Sequence, residues 1–194
     1  MISLAAGQNY SVAGIDKNET IPKGLQVGAL APGFNGTNQF GDTVNLKEKL
    51  KTGKVVLIFY RGYWCPVCNR YLQNYQDSLQ LIIDKGAHFM AITPEQAEGV
   101  RKTIGKTGAS FDLITDSSNH IMQLYGVDFK VTGTYQFLVN VFESANIAKN
   151  NGQEEAYLPV PATYIIGTDG RIEYVQFDPN YKIRASVKQI LENL

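Results

Sequence analysis

Cysteine and histidine are scarce in this chain of 194 residues: two of each, with a single tryptophan. A secreted scaffold held by disulfides spreads many cysteines along its length, because closing long loops is what restricts the unfolded chain. Here both cysteines sit three residues apart, Cys65 and Cys68, and a bond across so short a ring does little for stability. Structural zinc needs four ligands at characteristic spacings, and only His88 and His120 could add to the pair, each isolated in sequence. No metal and no cofactor is expected.

Charge of one sign is also lacking. Eighteen basic residues balance eighteen acidic ones, which removes the global electrostatic argument for nucleic acid. No apolar run could span a bilayer, the longest being Val55-Val56-Leu57-Ile58-Phe59-Tyr60. The start, Met1-Ile2-Ser3-Leu4-Ala5-Ala6-Gly7, lacks a secretory signal's positive head and apolar stretch. A cytoplasmic protein is expected, although a periplasmic one shorn of its leader would read the same way. Hydrophobic residues at 44% and charged ones at 19% suit a single globular domain.

Along the chain, residues 1 to 24 read as an irregular lead-in and 25 to 194 as one domain. Val55 to Tyr60 reads as a strand covered on both faces. From Cys65-Pro66 to Gly86, the apolar positions Cys68, Leu72, Tyr75, Leu79 and Ile82 recur at helical spacing. Pro66 suits a first helical turn and Gly86 a C-terminal end. His88 to Ile92 reads as a strand. Thr93-Pro94-Glu95 reads as a cap, a first-turn proline and an acid favourable to the dipole of a helix reaching about Gly105. Phe111 to Ile114 gives a further strand, and Asp116 caps a short helix through Tyr125. The stretch from 126 to 157 is too long for an ordinary connection. It carries Phe129, Tyr135, Phe137 and Phe142, as an insert over the site, an oligomer contact or a decoration packed on the sheet. Thr163 to Ile166 and Ile172 to Phe177 form a hairpin across Asp169-Gly170, and Val187, Ile190, Leu191 and Leu194 mark one face of a last helix. The order implies an α/β fold with a mixed central sheet flanked by helices.

The chemistry lies in Arg61-Gly62-Tyr63-Trp64-Cys65-Pro66-Val67-Cys68. Cys65 falls at a helix N-terminus, where free amides and the positive dipole end stabilise a thiolate. Cys68 lies one turn inside on the apolar face. An exposed attacker beside a shielded partner suits thiol–disulfide exchange, and equally a sulfenic acid that condenses with a second thiol. Trp64 reads as core filler or as a shield for the thiols. Arg61 reads as a solvated charge or as a partner that stabilises a thiolate and orients a peroxide oxygen.

Three stretches resemble the AhpC/TSA (peroxiredoxin-like) branch of the thioredoxin superfamily. They are Val27-Gly28-Ala29-Leu30-Ala31-Pro32-Gly33-Phe34, the run from Val55 to Cys68 with its Trp-Cys-Pro-Val-Cys motif, and Leu158 to Ile172. The resemblance implies a thioredoxin-like fold with an N-terminal extension and an insertion before the last hairpin. It also implies an antioxidant oxidoreductase that reduces hydroperoxides through a redox-active disulfide and is recycled by a thioredoxin-like reductant. No nucleic-acid or membrane partner is expected; a homodimer is compatible with the family. Pro161 matches the cis-proline of thioredoxins.

Two registers compete. The family's Pro-x-x-x-Thr-x-x-Cys makes Cys68 the attacker, with Cys65 at the threonine position and Arg61 at the proline. The thioredoxin Trp-Cys-x-x-Cys makes Cys65 the nucleophile of a disulfide reductase. Neither pattern is whole: the family's later arginine gives way to Val160-Pro161, and Phe59 stands where thioredoxins bury an acid. A redox sensor is the remaining alternative.

Overall fold

The computed structural model describes residues 13–16 and 21–194, so most of the lead-in falls outside the described residues. In chain order the elements are β1 (Asn35–Asn38), β2 (Thr43–Asn45), α1 (Leu46–Leu50), β3 (Val55–Phe59), α2 (Pro66–Asp77) and α3 (Leu79–Asp84). Then follow β4 (His88–Thr93), α4 (Ala97–Thr107), β5 (Asp112–Thr115), α5 (His120–Leu124), β6 (Asp128–Lys130), α6 (Gly133–Glu143) and α7 (Ile147–Asn151). Last come β7 (Tyr157–Pro159), β8 (Ala162–Ile166), β9 (Ile172–Phe177) and α8 (Val187–Glu192).

Seven strands form one mixed sheet in the order β2-β1-β5-β4-β3-β8-β9. β3, β4 and β5 run parallel, while β8 lies antiparallel to β3 and β9 to β8. β3 lies inside the sheet, between β4 and β8, and is buried along its whole length. Side chains alternate across a strand, so Val56 and Ile58 enter the apolar cluster of one face, with Leu72, Phe89 and Leu113. Val55, Leu57 and Phe59 enter the other, with Met90, Tyr125 and Tyr164. The mixed sheet with helices against it is the thioredoxin-like arrangement expected. Among the described residues no helix is long and apolar enough to cross a membrane.

Several local expectations need correction. The helix expected from 65 to 86 is two helices, because Ser78 leaves helical geometry (φ −110°, ψ 7°) and its N–H turns back to the Tyr75 carbonyl at 3.2 Å. Periodicity reports which face is buried and is blind to a one-residue break that keeps Leu72, Tyr75 and Ile82 inside. Thr93-Pro94-Glu95 does not begin a helix. Thr93 ends β4, Gln96 caps α4, and Gly108 terminates it in the left-handed conformation (φ 67°). Asn119, not Asp116, is the cap residue of α5, although Asp116 Oδ2 does accept the Met122 N–H at 2.8 Å.

The stretch from 126 to 157 is mostly regular: β6 and β7 pair as a separate antiparallel ribbon, and α6 and α7 lie between them. Finally, no cis peptide occurs among the described residues, so Val160-Pro161 is trans. The chain passes from β7 to β8 in extended form, tied by the Val160 N–H to the Val127 carbonyl at 2.7 Å. A trans bond, favoured by about 0.5–1 kcal/mol, meets that path.

Candidate active site

β3 and β4 are parallel, so their carboxyl ends share one edge of the sheet, where α/β folds place their sites. β8 is antiparallel, and its register sets Ala162 opposite Phe59. Pro161 therefore stands at the same edge as the cysteines, and His88, at the amino end of β4, at the opposite one.

From the end of β3 the chain makes a short loop into α2. The Cys65 N–H donates to the Gly62 carbonyl at 3.1 Å. Cys65 is the N-cap, in extended conformation, and Pro66 is the first helical residue, where its missing N–H costs nothing. The Cys65 sulfur accepts the Cys68 N–H at 3.4 Å, the place a cap oxygen usually fills. Both thiols are free, yet neither is exposed: each is 1% accessible. The exposed attacker expected at Cys65 is thus corrected: its sulfur is buried at the wall of a cleft that Trp64, Tyr135 and Tyr181 also line.

Each sulfur has its own guanidinium. Arg61 is buried, with Nη2 at 3.5 Å from Cys65 Sγ and Nη1 donating to the Tyr135 hydroxyl at 2.5 Å. Its guanidinium carbon lies 3.8 Å from the Tyr181 ring centroid and 5.1 Å from that of Trp64, so stacked aromatic faces replace water around the cation. Burial alone would lower the Arg61 pKa, but the two sulfurs and the Tyr135 phenol outweigh it and keep the group charged. Arg184, from the segment after β9, places Nη2 at 3.4 Å from Cys68 Sγ, while its Nε donates to the Tyr181 carbonyl at 2.9 Å. Tyr181 therefore braces both arginines.

The electrostatics divide the two thiols. Burial raises Cys68, but the Cys65 thiol hydrogen bond, Arg184 and Arg61 outweigh it and hold it well below an ordinary cysteine. Cys65 is pushed up by its hydrogen bond to Cys68, by burial and by the Cys68 charge, against the pull of Arg61. The surrounding groups thus draw Cys68 toward the thiolate and Cys65 toward the thiol, the reverse of what helix position alone suggested. A cleft of about 490 Å³ opens beside the pair, lined by Cys65, Arg61, Trp64 and, from α6, Tyr135, Leu138 and Phe142.

Of the residues picked from sequence, Arg61, Trp64, Cys65, Pro66 and Cys68 form one cluster. Arg184, Tyr181 and Glu95 were missed. Nothing local in Tyr181-Lys182-Ile183-Arg184 marks it, and Glu95 reads locally as a helix-dipole acid. Tyr135 was visible only as one of several aromatics in the insert.

A family profile described as the AhpC/TSA family matches residues 27–175. The chain belongs to the AhpC/TSA family. Among curated AhpC/TSA-like relatives, the chloroplastic peroxiredoxin Q of Triticum aestivum is 27% identical over 170 residues, 86% of this chain and 67% of that protein. The putative peroxiredoxin bcp of Helicobacter pylori is also 27% identical over 170 residues, 88% of this chain and 98% of that one. A shorter match, 28% over 104 residues, is to the thiol-disulfide oxidoreductase ResA of Bacillus anthracis, covering 53% of this chain and 59% of that one. The fold is that of the peroxidoxin BcpB structure from Mycobacterium tuberculosis, with TM-score 0.66, 18% identity, and coverage of 87% of this chain and 96% of that one.

Proposed function

We propose that the protein is a thiol peroxidase in which the Cys68 thiolate attacks the hydroperoxide. The attack forms an S–O bond and breaks the O–O bond. Two electrons pass from sulfur to the departing oxygen, which leaves as an alcohol or water once protonated, and Cys68 becomes a sulfenic acid. Cys65 then attacks that sulfur, expelling hydroxide, which leaves as water with the Cys65 proton, and the disulfide closes. A thioredoxin-like dithiol returns two electrons and two protons.

The observation that carries this reading is the Arg184 contact. It supplies the cation that the family places on a later strand, where this chain has Pro161, and holds it 3.4 Å from the sulfur with the lower pKa. A guanidinium there stabilises the thiolate and the negative charge that develops on the leaving oxygen. Arg61 and Trp64 position Cys65. Consumption of hydrogen peroxide and an alkyl hydroperoxide, coupled to thioredoxin and its reductase, tests the activity; no turnover of either would overturn it.

One observation favours a second reading, a protein-disulfide reductase acting through Cys65. Cys65 lines the open cleft, and Cys68 does not. Rapid reduction of insulin disulfides with negligible peroxide turnover would establish that reading instead.

A further inference from the structure

The lead-in reaches the dithiol site through the first turn of α6. Ala13 and Ile15 lie well ahead of β1, yet both are buried in the apolar cluster that holds Trp64, Cys65 and Cys68. Two backbone contacts fasten them there. The Thr132 N–H donates to the Gly14 carbonyl at 3.0 Å, and Ile15 bridges Val131 in antiparallel register. Thr132 is the N-cap of α6, and its hydroxyl accepts the Tyr135 N–H at 3.4 Å. The lead-in is thus tied to the turn that carries Tyr135.

Gly14 packs directly on that tyrosine. Its φ is +85°, in the left-handed region, and a Cβ built on it would lie 2.6 Å from Tyr135 Cγ and 2.8 Å from Cδ1. The turn alone would accept asparagine, which tolerates positive φ. The contact accepts only glycine. Cγ sits at the root of the side chain, so the ring could yield only by moving its helix or its hydroxyl. That hydroxyl accepts Arg61 Nη1, and Arg61 Nη2 lies 3.5 Å from Cys65 Sγ. α6 itself is lightly anchored: Val139 is the one fully buried residue of its eleven, while Phe137, Leu138, Val141 and Phe142 are exposed. A helix is held mainly by the face it buries, so the backing from the lead-in is not redundant.

We propose that Ala13–Ile15 is a positioning element of the dithiol: the Gly14 backbone holds the Tyr135 ring, and through it the Arg61 guanidinium, against Cys65. The inference rests on the dithiol reading above and adds to it a segment outside the sheet. The lead-in takes no part in making or breaking bonds. It fixes where the cation stands while they are made. Arg61 draws both thiols toward the thiolate. A guanidinium freed from Tyr135 spends less time beside the sulfurs, so the pair titrates higher and the disulfide closes more slowly.

The test compares Gly14→Asn with Tyr135→Phe and with the double variant. Asparagine keeps the positive φ and adds the Cβ, so it isolates the contact with the ring. The readout is the pH dependence of iodoacetamide alkylation in the reduced, folded chain, with mass spectrometry assigning the sulfur. The first midpoint of the pair should rise by about half to one pH unit in each single variant. The double variant should rise no further than Tyr135→Phe alone, because both changes act through one contact. A merely structural lead-in would lower the unfolding midpoint and leave the alkylation midpoint where it was. Ile15→Ala loosens the segment without adding an atom behind the ring, and gives the same reading if Gly14→Asn fails to fold. An unmoved alkylation midpoint, or shifts that add in the double variant, overturns the role of the lead-in and leaves the peroxidase reading standing. If the native chain forms no Cys65–Cys68 disulfide, the dithiol reading falls, and this inference with it.

Discussion

Arg184 and Cys68 stand 116 positions apart in the chain, yet the guanidinium Nη2 lies 3.4 Å from the sulfur. That contact joins the segment between β9 and α8 to the first turn of α2. Removing the cation should raise the Cys68 pKa and slow the peroxide step. A hydrogen bond to a charged group is worth about 1.5–3 kcal/mol, so Arg184→Met should lose roughly 10- to 100-fold in single-turnover rate. Arg184→Lys should recover part of it. Thiolate absorbance against pH and stopped-flow peroxide consumption measure the two effects.

The order of attack is decided by single-cysteine variants. Cys65→Ser should still consume one equivalent of peroxide and carry a trappable sulfenic acid on Cys68. Cys68→Ser should lose the fast reaction, because the sulfur held beside Arg184 is gone. Mass spectrometry of the trapped adduct identifies the sulfur. Full single-turnover reactivity in Cys68→Ser with its loss in Cys65→Ser would show that the peroxiredoxin register is wrong.

Tyr135→Phe should leave the fold intact and loosen the site. The substitution deletes the bond to Arg61 Nη1, in a cation whose Nε already has no partner. A loss of about 1–3 kcal/mol is expected on thermal or denaturant unfolding, together with a slower peroxide step as Arg61 gains freedom.

Glu95 makes stability depend on pH with a defined sign. Its folded pKa is raised from 4.5 to about 8, so the folded state binds the proton more tightly than the unfolded chain. This contribution is fully present below about pH 4.5 and is lost progressively as pH rises through about 8. Glu95→Gln should flatten that slope and leave the variant relatively more stable at the alkaline end. Urea midpoints taken across the window measure it.

Gly99→Ala should be destabilising even though alanine is the better helix former. The added methyl meets Glu95 Oε2 at 2.7 Å and Glu95 Cβ at 2.8 Å, and the second of these cannot swing away as a side-chain tip could. Overpacking of this kind costs about 1–3 kcal/mol. Gly105→Ala, where nothing lies within 4 Å, is the control and should not destabilise.

The sequence by itself determined what is local and periodic. The unbroken apolar run of β3, the Cys65-Pro66 helix start, the Asp169-Gly170 hairpin and the dithiol spacing are each written within a few residues, because backbone geometry and burial act at that range. Only the tertiary structure decided what surrounds the sulfurs. Parallel pairing of β3 with β4 carries Glu95 to the cysteine loop, α6 brings Tyr135 onto Arg61, and the turn after β9 delivers Arg184 and Tyr181. None of these approaches leaves a pattern along the chain. The same reason explains why Cys65, favoured as the thiolate by its place at a helix start, is pushed toward the thiol instead: the shifts of the pair depend on two arginines, each other's sulfur and burial. Helix position names the residues of the pair, and the charges packed around them set the direction in which each thiol is shifted.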